Sequence, residues 1–199
     1  MPVSSSPRPG FTLDAGEQVI IGLGNPDPQY AGTPHNVGYA VVDQIAASLG
    51  LGWIATPEAW IARGAAQGRN VCLIKIRSAM NTTGPALQQL AQSLAFGAEQ
   101  CILVHDDLAL SIGAVRSRLG GGAGGHRGVA SILEAFQTST FRRVKVGVAP
   151  TQPAVNRVEY VLTEFDPASR AAIDMAISAA GARTLAMTAP SGTAKESVV

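Results

Sequence analysis

The feature that most restricts how this chain can fold is an alternation. Short apolar runs rich in Val and Ile are separated by longer stretches whose apolar residues recur at helical spacing. Residues 18–23, 71–76, 101–105, 114–119 and 143–148 read as strands, and 53–67 reads as two further short ones. Between them, 36–49 places Val37, Ala40, Val41, Val42, Ile45 and Leu49 on one helical face and meets a natural stop at Gly50. The pattern predicts further helices over 82–94, 126–136 and 167–187, the last capped by Asp166. Aromatic residues are only 5% of a chain that is 46% apolar, so Ala, Val, Ile and Leu must fill the core, which suits helices on a buried sheet. The alternation implies an α/β layer fold with a mostly parallel sheet.

A length of 199 residues favours one domain with a core that needs no disulfide or metal. Cys72 and Cys101 each sit inside an apolar run and lack the spacing of metal ligands, so both are expected as buried, reduced thiols of a cytosolic protein. Residues 1–16 lack the apolar stretch of a secretory signal and read as a disordered leader, 17–188 as the folded domain, and the polar 189–199 as a flexible tail. No apolar run approaches membrane-spanning length. A net charge of +1 argues against indiscriminate coating of nucleic acid, yet the charge is uneven. Residues 111–150 carry six cations, Arg116, Arg118, Arg127, Arg142, Arg143 and Lys145, against Glu134 alone, a net +5 that leaves −4 for the remainder.

Chemistry is concentrated in four stretches. In the first, QVIIGLGNPDPQYAGTPHNVG, the opening GLG resembles a dinucleotide-binding turn. Asp27 stands where the third glycine is required, however, and Pro26 and Pro28 remove amides that a pyrophosphate needs. The strand instead hands over to Asn25, whose carboxamide is expected in the crevice at the strand's C-terminal end. His35 follows Pro34 at a helix start, where it either begins the helix or serves as a neutral general base. In the second stretch, ILVHDDLAL, adjacent Asp106 and Asp107 face opposite ways on a strand and cannot share one ion, which argues against a metal. A single carboxylate, Asp106, orienting His35 is the better use.

The third stretch, LGGGAGGHRG, lets amides approach a phosphate or sugar, or serves as a mobile lid; it lacks the G-K-[ST] ending of a nucleotide-binding loop. Beside it, Arg116 and Arg118 alternate on a strand at a spacing suited to backbone phosphates, with Arg142, Arg143 and Lys145 on the next. In the fourth, KIRSAMNTTG, Asn81 reads as a helix cap or, beside Asn25, as a second amide at the mouth of the sheet.

Taken together, GLGNPxxxY…HNxG, MNxxG, HDDLxL, a basic strand with GGxGGHxG, and FxRxxVGV resemble the bacterial-type peptidyl-tRNA hydrolases over about residues 19–177. The resemblance implies a single α/β domain with a mixed, mostly parallel twisted sheet flanked by helices. It also implies cytoplasmic, monomeric action on the acceptor end of peptidyl-tRNA, no cofactor and no metal, and cleavage of the ester between peptide and terminal ribose. It casts His35 as base, Asp106 as its orienting partner, and Asn25 and Asn81 as holders of substrate and water. Tyr30 and Met80 would line the site for peptide and terminal nucleotide, and Arg116, Arg118 and Arg143 would meet tRNA phosphates. Arg127 would touch substrate where the family usually has Asn, and that departure opens an alternative: a catalytically impaired relative that binds RNA.

Overall fold

The computed structural model describes residues 12–14, 16–150 and 156–189. Among them seven strands form one sheet: β1 (Gln18–Gly22), β2 (Ile54–Ala55), β3 (Ala59–Ala66), β4 (Arg69–Ile76), β5 (Cys101–Ser111), β6 (Val115–Leu119) and β7 (Arg142–Ala149). The helices are α1 (Val37–Ser48), α2 (Thr83–Leu94), α3 (Arg127–Phe136), α4 (Arg157–Leu162) and α5 (Arg170–Ala186). The strand order is β2-β3-β4-β1-β5-β7-β6. The central β4, β1, β5 and β7 run parallel, and β3, β2 and β6 add antiparallel edges, so the mixed, mostly parallel sheet is as expected.

Alternate residues of the parallel strands feed two cores. Ile20, Leu73, Ile102 and Val144 pack with Val41, Ile45, Ala176 and Ala180 of α1 and α5. Val19, Ile21, Ile74 and Leu103 pack with Leu87, Leu90, Val129 and Ile132 of α2 and α3. Removing both faces of these strands from water supplies the main stabilisation, about 2 kcal/mol per fully buried Ile or Leu. Cys72 and Cys101 are buried and free, and burial pushes both thiols up, Cys72 to about 12.

Two features of this topology create the site. The chain reverses direction across the sheet at β1, which has β4 on one side and β5 on the other, so a crevice opens at its C-terminal end. In addition, β5 outruns β1: their pairing ends at Gly22↔Val104, while β5 continues to Ser111 against β7. The acidic pair expected just beyond a strand 101–105 therefore lies within the strand, where the absence of β1 exposes one side of it. Gly38 closes α1 onto this corner, for a Cβ there would lie 2.3 Å from the Val104 carbonyl oxygen and 2.5 Å from that of Leu23.

Most sequence-expected elements recur within a residue or two. The helix expected from 167 begins as a 3-10 turn, Pro167–Ser169, with Asp166 accepting from the Ala168 amide before α5 proper. Helix α4 was not expected; its six residues carry too little periodicity to read, and Asn156 starts it by accepting from the amides of Val158 and Glu159. Of the expected leader, Leu13 donates to the Leu94 carbonyl at 3.0 Å and packs on the core. Residues 1–11 of that leader and 190–199 of the expected tail lie outside the described residues. Among the described residues no helix is long and apolar enough to cross a membrane.

Candidate active site

Asp106 projects from β5 at the open flank beside β1, only 3% exposed, and faces the start of α1. There His35, in the 3-10 turn Pro34–Asn36, places Nδ1 at 3.0 and 3.1 Å from the two carboxylate oxygens. A carboxylate accepts, so Nδ1 carries the hydrogen and the His35 Nε2 lone pair is left for other work. The other side of the carboxylate takes a second imidazole: His126 Nε2 lies 2.8 Å from Asp106 Oδ1. The tautomer of His126 is fixed independently, because its Nδ1 accepts from the Gly128 and Val129 amides at 3.1 and 3.2 Å as the cap of α3. Burial alone would push the Asp106 carboxyl up, yet the electrostatic pull and hydrogen bond of His126, then those of His35, hold it well below the usual carboxylate range.

All three histidines of the chain meet here, with ring centroids 4.7 Å apart for His35 and His126 and 4.9 Å for His105 and His126. His105 is a different case from the other two. Complete burial, then the neighbouring His126, brings it down to about 3, so it stays neutral. Its Nδ1 donates to the Asp106 carbonyl at 2.7 Å while its buried Nε2 has no hydrogen-bond partner among the described residues. Asp107 points the other way and accepts from Lys145 at 2.7 Å, as alternation along a strand requires.

Asn25 stands at the end of β1. Its Oδ1 accepts from the Met80 amide at 3.0 Å, and Asn36 grips its backbone from both sides, accepting from its N–H at 2.8 Å and donating to its carbonyl at 3.0 Å. That leaves the Asn25 NH₂ group for a ligand. Asn81 caps nothing: Thr82 is the residue before α2, and the exposed Asn81 carboxamide makes no hydrogen bond with any described residue. Asn25, Tyr30, His35, Met80, Asn81, Asp106 and Arg127 all line one pocket of about 410 Å³, which also has His126 and Arg157 in its wall. Among the described residues that line it there is no Ser, Thr or Cys.

The basic strands behave unequally. Arg116 and Arg118 are exposed on β6. Arg143 contradicts its expected role at tRNA phosphates: it is 1% exposed, and its guanidinium donates to the carbonyl oxygens of Gly122, at 2.8 Å, and Gly121. It holds the glycine-rich loop in place, where Gly120 and Gly121 take φ of +71° and +97° that other residues resist. Arg142 is likewise spent inside the fold, on Gln18 Oε1 at 2.6 Å and the Gln100 carbonyl at 3.1 Å.

His126 and Asn36 escaped the sequence reading as site residues. The signals were present, in the GGH that opens a helix and the HN that follows Pro34, but neither declares its distant partner. With His126 in place, one ligand atom each from His35, Asp106 and His126 lie within 4.8 Å of one another, close enough for a metal ion. The hydrogens on His35 Nδ1 and His126 Nε2 are directed at the carboxylate, so the set as built is two donors on one acceptor.

A histidine hydrogen-bonded to a buried carboxylate, on a crevice that offers carboxamides and whose described lining has no Ser, Thr or Cys, marks an α/β protein of the hydrolase class. The chain belongs to the peptidyl-tRNA hydrolase family, whose family model matches residues 19–197. It is 38% identical over 157 residues to the peptidyl-tRNA hydrolase of Mycobacterium tuberculosis, covering 78% of this chain and 82% of the relative. It is 39% identical over 159 residues to that of Rhodococcus erythropolis, covering 79% and 84%. Among solved structures, the peptidyl-tRNA hydrolase of Acinetobacter baumannii superposes with a TM-score of 0.77 at 25% identity, over 89% of this chain and 94% of that one.

Proposed function

We infer that this protein hydrolyses the ester joining a peptide to the 3′-terminal ribose of tRNA, releasing free tRNA and peptide. The observation that carries the reading is the His35–Asp106 pair facing a pocket whose described lining has no Ser, Thr or Cys, in a chain of the peptidyl-tRNA hydrolase family. Water is then the attacking group. His35 Nε2 takes its proton as the water oxygen bonds to the ester carbonyl carbon, and Asp106 stabilises the resulting imidazolium. The developing oxyanion is met by the carboxamide hydrogens of Asn25 and Asn81. When the tetrahedral species collapses, the bond from carbon to the ribose oxygen breaks and that oxygen takes the proton from His35. No step requires a cofactor.

Tyr30 and Met80 form the wall against which peptide and terminal nucleoside rest, Arg127 contacts substrate at the rim, and Arg116 and Arg118 draw in backbone phosphates of the acceptor end. The protein acts as a monomer in the cytoplasm. Incubation with a peptide-charged tRNA tests the reading. Release of deacylated tRNA in proportion to protein supports it, whereas tight binding without release contradicts it and identifies an RNA-binding relative instead.

A further inference from the structure

Two arginines of the pocket have no part in the chemical steps. Arg127 is the first residue of α3 and Arg157 the first of α4, and both are exposed where they line the pocket. Neither makes a hydrogen bond or ion pair with any described residue, unlike Lys75, Arg142, Arg143 and Lys145, each of which has protein partners. The acids of the same pocket cannot neutralise them: Asp106 is shared between His35 and His126, and Asp107 is held by Lys145. Glu159, on α4 itself, is absent from the described lining.

The surroundings strengthen the effect. Leu108, Val158, Val161 and Leu162 form an apolar stretch of the same wall, next to which a charge is less screened than in open water. An anion arriving at this wall therefore meets two guanidiniums that no described side chain neutralises. The planar guanidinium suits this task, since it offers paired donors to a phosphate or carboxylate.

We propose that Arg127 and Arg157 form an anion clamp at the mouth of the pocket, which takes up a negatively charged group of the substrate next to the scissile ester. The proposal rests on the reading of this pocket as the peptidyl-tRNA site. The anion has two possible sources with one chemistry: the phosphodiester before the terminal nucleoside, carried by every substrate, or the carboxylate of an acidic residue in the peptide.

The test uses an RNA hairpin reproducing the acceptor stem, joined through a hydrolysis-resistant 3′ amide to either a neutral or an acidic dipeptide. Affinity is measured by titration for the wild type and for Arg127→Gln, Arg157→Gln and the double variant, each shown by thermal melting to be folded. The double variant is expected to bind about tenfold or more weakly. With the ester-linked versions, KM is expected to rise by more than kcat falls. Equal losses for both dipeptides identify the phosphodiester, and a loss confined to the acidic dipeptide identifies the peptide carboxylate. Unchanged affinity for both RNAs in the double variant overturns the clamp. Failure of the wild type to cleave either ester overturns the hydrolase reading, and the amide titrations then still decide the clamp.

Discussion

Strands β6 and β7 lie side by side with cations in register, Arg116 opposite Lys145 and Arg118 opposite Arg143, yet the two sets do different things. On β7, Val144, Val146 and Val148 pack towards α1 and α5, so Arg143 and Lys145 point to the other face, that of the glycine-rich loop and Asp107. There they are consumed by Gly121, Gly122 and Asp107. β6 is an edge strand, with one neighbour among the described strands, and its Arg116 and Arg118 stay exposed with no partner among the described residues. Burial, then the charge of Arg118, pushes the Arg143 guanidinium down from its ordinary range, a sign that one arginine of this pair has been taken out of water and its neighbour has not. A run of like charge in a sequence thus divides into cations that build the site and cations left to meet a polyanion, and the division follows position in the sheet.

The largest effect expected from breaking this division is at Arg143. Arg143→Ala removes the donors to two loop carbonyls and empties a buried site, and should cost about 2–3 kcal/mol, lowering Tm by roughly 5–10 °C. A loss below about 0.5 kcal/mol would return Arg143 to the exposed class. His105, opposite Lys145 on β5, extends the internal class and should show itself through pH. In the unfolded chain this imidazole binds a proton near pH 6.5, in the fold only near pH 3, so between these values the unfolded state holds more protons and stability falls as pH falls. Asp106, held low in the fold, adds its own loss only at still more acid pH. Denaturant titrations of wild type and His105→Leu should therefore diverge on acidification from pH 6.5 to 4, the wild type losing on the order of 2 kcal/mol more. Parallel curves would show that His105 is already solvated.

The exposed class should move binding and leave stability alone. Arg116→Glu with Arg118→Glu is expected to raise KM for peptidyl-tRNA and to shrink the slope of log affinity against log salt by about 2, with folding stability within about 0.5 kcal/mol of wild type. An unaltered salt slope would mean that β6 does not face the RNA.

The same contrast explains how much could be read without coordinates. Strands such as Gln18–Gly22 and helices such as Val37–Ser48 announce themselves, because burial on both faces of a strand leaves a continuous apolar run and burial on one face of a helix imposes a local period. The pairing of His35 with Asp106 was accessible because each residue carries a local mark, one at a helix start and one on a strand. What stayed hidden depends on distant partners. His126 sits in a glycine run and is used twice, by the amides of α3 and by Asp106 twenty residues earlier. Arg143 looks like any strand cation until the loop carbonyls twenty-one and twenty-two residues before it are in place. The continuation of β5 through His105 and Asp106 was missed because polar residues inside a strand read as its end, and only the shortness of β1 makes them tolerable there.

In the proposed reaction Asp106 orients His35 so that its free nitrogen activates water. Its most direct test is single-turnover cleavage of peptidyl-tRNA by His35→Ala, with Asp106→Asn alongside. The chemical rate of His35→Ala is expected to fall by about 10²- to 10⁴-fold, with tRNA affinity little changed. Cleavage by His35→Ala at the wild-type rate would contradict it.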